Sequence, residues 1–445
     1  MTIINYVTKL KPSEELQNKL TLWMNHLLVV YAFLIPIHNK SKTSVFFIIL
    51  ILFLYRMNFI KYLKDALSNK IVQAFLMFYL IWLLGFIYTE NIAFAKDSIS
   101  KAKFLLFPLI FLSFLDKRFA YRVLSAFIFG MLFSELISYG IGFDVLPHIL
   151  NIQGYEIYKA HLHNPSPFFN HLDHNIGLAL IVSLLLYQLL NQKLSIPFKL
   201  LNIFFLSTAS LNMSFIGSRT GYVLYLFLII VVLILTFRHN LKKAILIGLV
   251  VLITIPYFAY NYSSMINKRT NQTLTSITKL IKTNNYNTSV GLRLGFTKYS
   301  LNVIQEHPIL GVGTGDYMDK VREVIPKKHK YISTLKQPHN VYTKTLLQFG
   351  IIGLFFLFFL FYRLFTYKDC SKYNKGILIL VTSAVMLFML PGKFYGYFIL
   401  PMFVTIVSIM IADKYRDIKY RDMDIKLFFI YFLLTILFLI IGITK

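Results

Sequence analysis

Apolar stretches long enough to enter a bilayer alternate along this chain with short connections rich in Lys and Arg. The apolar runs fall at roughly 22–37, 45–55 (extending toward 60), 71–88, 104–115, 119–143, 175–190, 198–217, 221–237, 241–260, 341–362, 376–390, 394–411 and 427–443. A helix of about 20 apolar residues crosses a hydrocarbon core, so the pattern predicts an all-α, polytopic integral membrane protein with about 12–13 transmembrane helices. The alternation is interrupted by two long polar segments. One is an outer loop at 144–174 and the other a large loop at 261–340, which would contain short helices. The chain therefore divides into N-terminal spans (1–260), the large outer loop (261–340) and C-terminal spans (341–445).

The distribution of charge orients these spans. With the N-terminus and its Lys9, Lys11 and Lys19 inside, the even connections are cytoplasmic. They carry Arg56, Lys61 and Lys64, then Lys117, Arg118 and Arg122, and further on Arg238, Lys242, Lys243, Arg363, Lys368 and Lys372. The short outer connections are poorer in cations, as the positive-inside bias requires. No cleavable signal peptide is read at the N-terminus, because the first apolar run lacks a small-residue cleavage site. The composition, 57% hydrophobic and only 15% charged, belongs to a membrane protein. The net charge of +27 therefore needs no nucleic-acid partner. A single cysteine, Cys370, excludes an intramolecular disulfide and a Cys-x-x-Cys site.

The large loop has a charge of its own to explain. Between 261 and 338 it holds twelve Lys or Arg against four acids, a net of +8. A solvated basic face accounts for this, as does an anionic substrate or lipid surface. Leu274, Ile277 and Ile281 share helical spacing with Lys279 and Lys282 nearby, which predicts an amphipathic helix on the membrane surface. Leu292, Phe296, Tyr299 and Val303 recur at i, i+4, i+7 and i+11, one face of a helix capped by Thr288 or Ser289 and ended by His307-Pro308. Arg293 is then expected in its first turn.

Three residues stand out for chemistry. Arg219 lies in Gly217-Ser218-Arg219-Thr220-Gly221, a minimal outer turn between two apolar runs. An arginine at that depth is a functional candidate, or it snorkels to outer headgroups. Arg293 could hold a phosphate with two parallel hydrogen bonds, and with Arg219 could clamp a diphosphate; an ordinary surface arginine is the alternative. His339 follows Pro338 and precedes Asn340, which is placed to cap the span from Val341. A helix N-terminus there favours a neutral imidazole, hence a base, although a capping or interfacial histidine reads the same way. The Gly311–Asp316 run lacks the Gly-Lys-Ser/Thr ending of a P-loop and reads as a tight loop. The His161, His163, His171 and His174 set could suggest zinc, but no carboxylate or cysteine set accompanies it, so no metal is assigned. Glu135 is the acid deep in an apolar run, suited to a proton path or to bonding a neighbouring helix.

The Ser-Arg-Thr-Gly turn at Arg219, Arg293, the segment HPILGVGTGDY from His307 and the segment QPHNVYTKTLLQFGIIGL from Gln337 together resemble the O-antigen ligase family. The motif match covers roughly 215–353. One departure is Gln348 ahead of Gly350, where the family often has an acidic residue. The resemblance implies transfer of a glycan from undecaprenyl diphosphate to lipid A-core at the outer face of the bacterial inner membrane. It implies an inverting, metal-independent reaction that needs no cofactor. His339 would be the base, Arg219 and Arg293 would hold the diphosphate, and Asn340, His307, Gly311 and Gly313 would support them. The partners implied are the lipid-linked donor, the lipid A-core or glycan acceptor, and membrane lipids. An O-antigen or exopolysaccharide polymerase would share the donor chemistry. A lipid-linked oligosaccharide transporter is a different class, and it would place its charges nearer mid-membrane.

The orientation is testable through Cys370, which the charge bias places in the cytoplasm. An impermeant maleimide should leave Cys370 unlabelled in intact spheroplasts and label it after permeabilisation. Labelling from outside would reverse the topology and put Arg219 and His339 on the cytoplasmic side.

Overall fold

The computed structural model describes residues 12–412 apart from 153–154 and 162–163. The 427–443 run, the basic residues between 414 and 426, Lys9, Lys11 and His163 lie outside the described residues. The described chain is helical nearly throughout, as the hydropathy pattern predicts. The first half contains α1 (Glu14–Leu34), α2 (Asn39–Tyr55), α3 (Phe59–Leu67), α4 (Lys70–Ile87), α5 (Ile92–Ala102), α6 (Phe107–Leu112), α7 (Ala120–Gly142), α8 (His171–Asn191) and α9 (Ile196–Phe215). Then come α10 (Arg219–Thr236), α11 (Leu241–Tyr262), α12 (Ser264–Thr283), α13 (Ser289–Glu306), α14 (Tyr317–Val324), α15 (Val341–Thr366), α16 (Lys372–Met389) and α17 (Ile399–Ile411).

Among the described residues, seven helices are long and apolar enough to cross a membrane, or eight if α2 and α3, bent by 113°, form one broken span. This is fewer than the runs suggest, for local reasons. The 104–115 run divides into a 3₁₀ turn at Lys103–Leu106 and the six-residue α6, which has a proline in its first turn. Helix α17 has 13 residues, a rise of only about 20 Å. Helices α1 and α9 are long, but Asn25 and His26, or Asn202, Thr208 and Asn212, dilute their apolar character. Outside the helices, two short strands pair antiparallel, β1 (Ile149–Ile152) and β2 (Tyr155–Lys159), with Ile149 opposite Lys159 and an irregularity between Leu150 and Asn151. A four-residue strand is too short for a period-two signal to stand out from loop sequence.

The core lies in α7, α8, α16 and α17, whose facing residues form one continuous apolar cluster. Helix α10 packs along α8 and α16, whereas α11 is peripheral, with only Ala244 and Gly248 buried. A second, smaller cluster lies outside the bundle. There Phe296, Tyr299 and Val303 of α13 meet Tyr317, Met318 and Val321 of α14, together with Ile332 and Leu347. The periodicity read from the sequence is therefore the buried face of α13, and Thr288 caps it by accepting from Gly291 N at 3.0 Å.

The two clusters are joined at a break in α15. Gly350 has φ +58° and ψ −156° inside that helix, a conformation reserved for glycine. The break orphans backbone groups, and the His307–Gly313 loop pairs with four of them. Ile351 N donates to Pro308 O at 2.9 Å and Ile352 N to Ile309 O at 3.4 Å, while Leu347 O and Gln348 O accept from Val312 N at 2.8 Å and Gly313 N at 3.0 Å. The loop tip continues into α4, where Thr314 N donates to Gly85 O at 3.0 Å. Asp316 then accepts from Glu90 N at 2.9 Å and Asn91 N at 2.7 Å.

A methyl group at Gly350 would sit 2.2 Å from Ile309 O, whereas one at Gly396 would meet nothing within 4 Å. Gly350→Ala should therefore destabilise the protein by roughly 2–4 kcal/mol through strain and overpacking. Gly396→Ala should be neutral. Thermal melting of the detergent-solubilised variants checks this, and equal melting of Gly350→Ala and wild type would contradict it.

Candidate functional site

Arg219 opens α10, and the turn before it is tightly held. Ser218 caps the helix by accepting from Gly221 N at 3.2 Å. Gly217 N donates to Asn164 Oδ1 at 2.8 Å, and Ile216 O accepts from Asn175 Nδ2 of α8 at 3.1 Å. The Tyr222 hydroxyl donates to the same carbonyl. With its backbone fixed in this way, Arg219 reaches out of the bundle. Its guanidinium donates to Ser289 Oγ, the first residue of α13, and to Gln272 Oε1 of α12, both at 3.4 Å. It lines an open cavity of about 590 Å³ with Lys268, Asn271, Gln272, Thr275 and Ser289.

Arg293 lies one turn into α13, further in than expected, because Thr288 rather than a later residue takes the cap. The apolar face of α13 is committed to the outer cluster, and Arg293 is on its exposed side. Packing around the guanidinium still desolvates it enough to lower its pKa from the ordinary value. Arg293 acts electrostatically on both Arg219 and His339. The fold thus brings together three residues separated by 120 positions of sequence.

His339 has φ +55°, a left-handed conformation uncommon outside glycine and asparagine. It is pinned from both sides. Asn340 accepts from Tyr342 N at 2.9 Å and Thr343 N at 3.1 Å, capping α15 as the sequence predicts. On the other side Gly392 approaches so closely that a Cβ there would lie 2.5 Å from His339 Cα. The pKa of His339 is lowered from its ordinary 6.5, first by burial and then by the positive charges of Arg293 and Lys393, with a bond to the Pro391 backbone opposing. The imidazole is accordingly neutral near pH 7 and free to accept a proton.

Further residues join this group that the sequence did not single out. Lys393 pairs with Asp173 Oδ1 at 3.5 Å, and Asp173 Oδ2 accepts from Asn170 Nδ2 at 2.6 Å. Arg269 of α12 acts on Arg219 and on His171. Nothing in the local sequence marks these residues, since they reach the site only through tertiary packing. Other candidates lie elsewhere. His307 is exposed at the end of α13, and Gly311 and Gly313 belong to the loop docked into the α15 break. Gln348 is fully buried there and donates to Thr314 O at 2.6 Å, a bond that an ionised carboxylate could not make. His174 is inside the bundle with Ser134 at 3.2 Å and Asn212 at 3.3 Å, while His171 stands at the outer start of α8 and His161 bridges to Asn164. Glu135 is buried on α7, away from the arginines.

The site is chemically simple: three arginines, one of them lining an open cavity, a lysine held by one carboxylate, and an imidazole whose pKa is lowered. Its charge suits an anion. Comparison with known proteins bears on what that anion belongs to. Residues 202–358 match the family model described as O-antigen ligase, a segment containing Arg219, Arg269, Arg293, His339 and the whole α15 break. An uncharacterised protein of Haemophilus influenzae is 28% identical over 141 residues. That alignment covers 31% of this chain and 35% of the relative, so the similarity spans about a third of the relative's length. The segment at residues 202–358 of this polytopic membrane protein is thus similar to the O-antigen ligase family.

Proposed function

We propose that this membrane glycosyltransferase moves a glycan from undecaprenyl diphosphate to lipid A-core at the periplasmic face of the bacterial inner membrane, as an O-antigen ligase. The observation that supports the reading is the meeting of Arg219, Arg293 and His339, with Arg219 lining an open cavity. An acceptor hydroxyl attacks the anomeric carbon opposite the diphosphate and His339 takes its proton. The bond between the anomeric carbon and the phosphate oxygen breaks, and undecaprenyl diphosphate leaves with the bonding electrons. Direct attack inverts the anomeric centre. The leaving diphosphate needs positive charge rather than a proton, which the arginines supply without a metal ion.

Reconstituted protein with a lipid-linked donor and lipid A-core tests these roles. Arg219→Lys and Arg293→Lys should each lose about 10²–10³-fold in turnover, because lysine keeps the charge but not the two-pronged geometry. His339→Ala should lose about 10²–10⁴-fold while still binding donor. Arg293→Ala combined with His339→Ala should be little worse than the poorer single variant. Full activity in excess EDTA is expected, and loss restored by a divalent ion would refute metal independence. Near-normal turnover in His339→Ala would remove the base. Extension of a lipid-linked glycan in place of lipid A-core would assign the chain as a polymerase.

The pH profile provides a separate check. His339 must be neutral to accept a proton, and its pKa lies below 6.5, so activity should be flat near neutrality and fall only at acid pH. Lys393 is one cause of that depression. Lys393→Gln should therefore move the acid limb to higher pH, and an unmoved limb would exclude His339 as the titrating group.

A further inference from the structure

Arg269 stands beside Arg219 in a way that a brace between helices does not explain. From α12 its side chain crosses back over the Gly217-Ser218 turn, so closely that a Cβ on Gly217 would lie 2.5 Å from its Nε and 2.9 Å from Nη2. Its Nη1 donates to Gln272 Oε1 at 3.3 Å. That is the oxygen already taken by Arg219 Nη2 at 3.4 Å. The Arg269 Nε is buried and has no hydrogen-bond partner among the described residues. Two guanidiniums thus share one neutral amide oxygen, and Arg293 adds a third positive charge close to Arg219. Asp173, which acts together with Arg269 on His171, is paired with Lys393 at 3.5 Å. Like charges held together with donors unmet, and one of those donors out of water, are costly unless an anion completes the set.

We propose that Arg269 is a third arginine of the diphosphate cradle and binds the anion directly, with Gly217 as the slot that aims its guanidinium. This rests on the reading of Arg219 and Arg293 as diphosphate-binding residues and extends it to a residue on the large outer loop. A diphosphate offers acceptor oxygens on two phosphorus centres, enough to satisfy separate guanidinium forks at once. Gly217 is required by space, since any side chain there would push Arg269 away. The proposal thus couples a glycine in one turn to a charge 52 residues later.

The full-length protein in nanodiscs is titrated with undecaprenyl diphosphate and, separately, with inorganic diphosphate. The comparison shows whether the cradle recognises the free anion or only the lipid-linked one. Arg269→Gln should weaken undecaprenyl diphosphate binding by about tenfold or more. Gly217→Ala, which keeps every charge, should weaken it comparably. Lys282→Gln, which removes a charge from the last turn of the same helix, should stay within about twofold, because a distant surface charge is screened. Wild-type affinity in Arg269→Gln alongside lost affinity in Arg219→Gln and Arg293→Gln would overturn the proposal and leave the two-arginine clamp standing. Wild-type affinity in all three would overturn the clamp as well. Should Arg269→Gln not fold, Arg269→Lys decides, and unchanged affinity there counts against the proposal.

Discussion

A backbone polar group released inside a membrane-spanning helix must find a partner in the protein, because lipid offers none. In this chain that constraint acts at Gly350. The break in α15 frees donors and acceptors, and the loop that ends α13 supplies their complements. The 261–340 segment is thereby keyed into the bundle rather than tethered beside it. Residues before the loop carry Arg293, and the loop's far side runs on through α14 toward His339. One set of backbone hydrogen bonds therefore holds the α13 arginine in register with the histidine that opens the broken span.

The electrostatics follow from this placement. Helices α10, α12 and α13 each contribute an arginine to one neighbourhood, and the 390–398 connection contributes Lys393. Such a group repels itself, and the hydroxyl of Ser289 and the amide oxygen of Gln272 only partly satisfy the guanidiniums of Arg219 and Arg269. Burial first, and then the charges of Arg293 and Lys393, depress the pKa of His339. A single arrangement thus concentrates positive charge and disfavours protonation of the histidine beside it.

Stability and reactivity are divided between different parts of the molecule. The deep cluster of α7, α8, α16 and α17 is dry and continuous. Helix α12, by contrast, buries none of its residues, yet it provides Gln272 and Arg269. Its apolar positions Leu274, Ile277 and Ile281 remain exposed at 57%, 40% and 75% among the described residues, which suits them to the membrane surface. Site residues on such an element are placed mainly by their own hydrogen bonds, so changes there should affect binding more than folding.

Much of the architecture could be read from sequence because it depends on local periodicity. Apolar run length marked the helices, and the i, i+4, i+7 spacing from Leu292 marked the buried face of α13. Thr288 and Asn340 marked their caps, since capping joins neighbours in sequence. Arg219 and His339 were legible as charged or titratable groups where turns meet apolar runs. The α15 break was not, because Gly350 within an apolar run reads like any glycine in a continuous span. The docked loop explains it, and that loop lies about 40 residues upstream. Arg269, Lys393 and the acceptor role of Gln272 were hidden for the same reason. Their local sequence is that of ordinary polar surface, and only long-range packing brings their side chains to one place. What the chain alone determined was which long segments are helical and, through Thr288 and Asn340, where two of them start. The tertiary structure decided which charges meet, because electrostatic neighbours are set by distance in space and not by spacing along the chain.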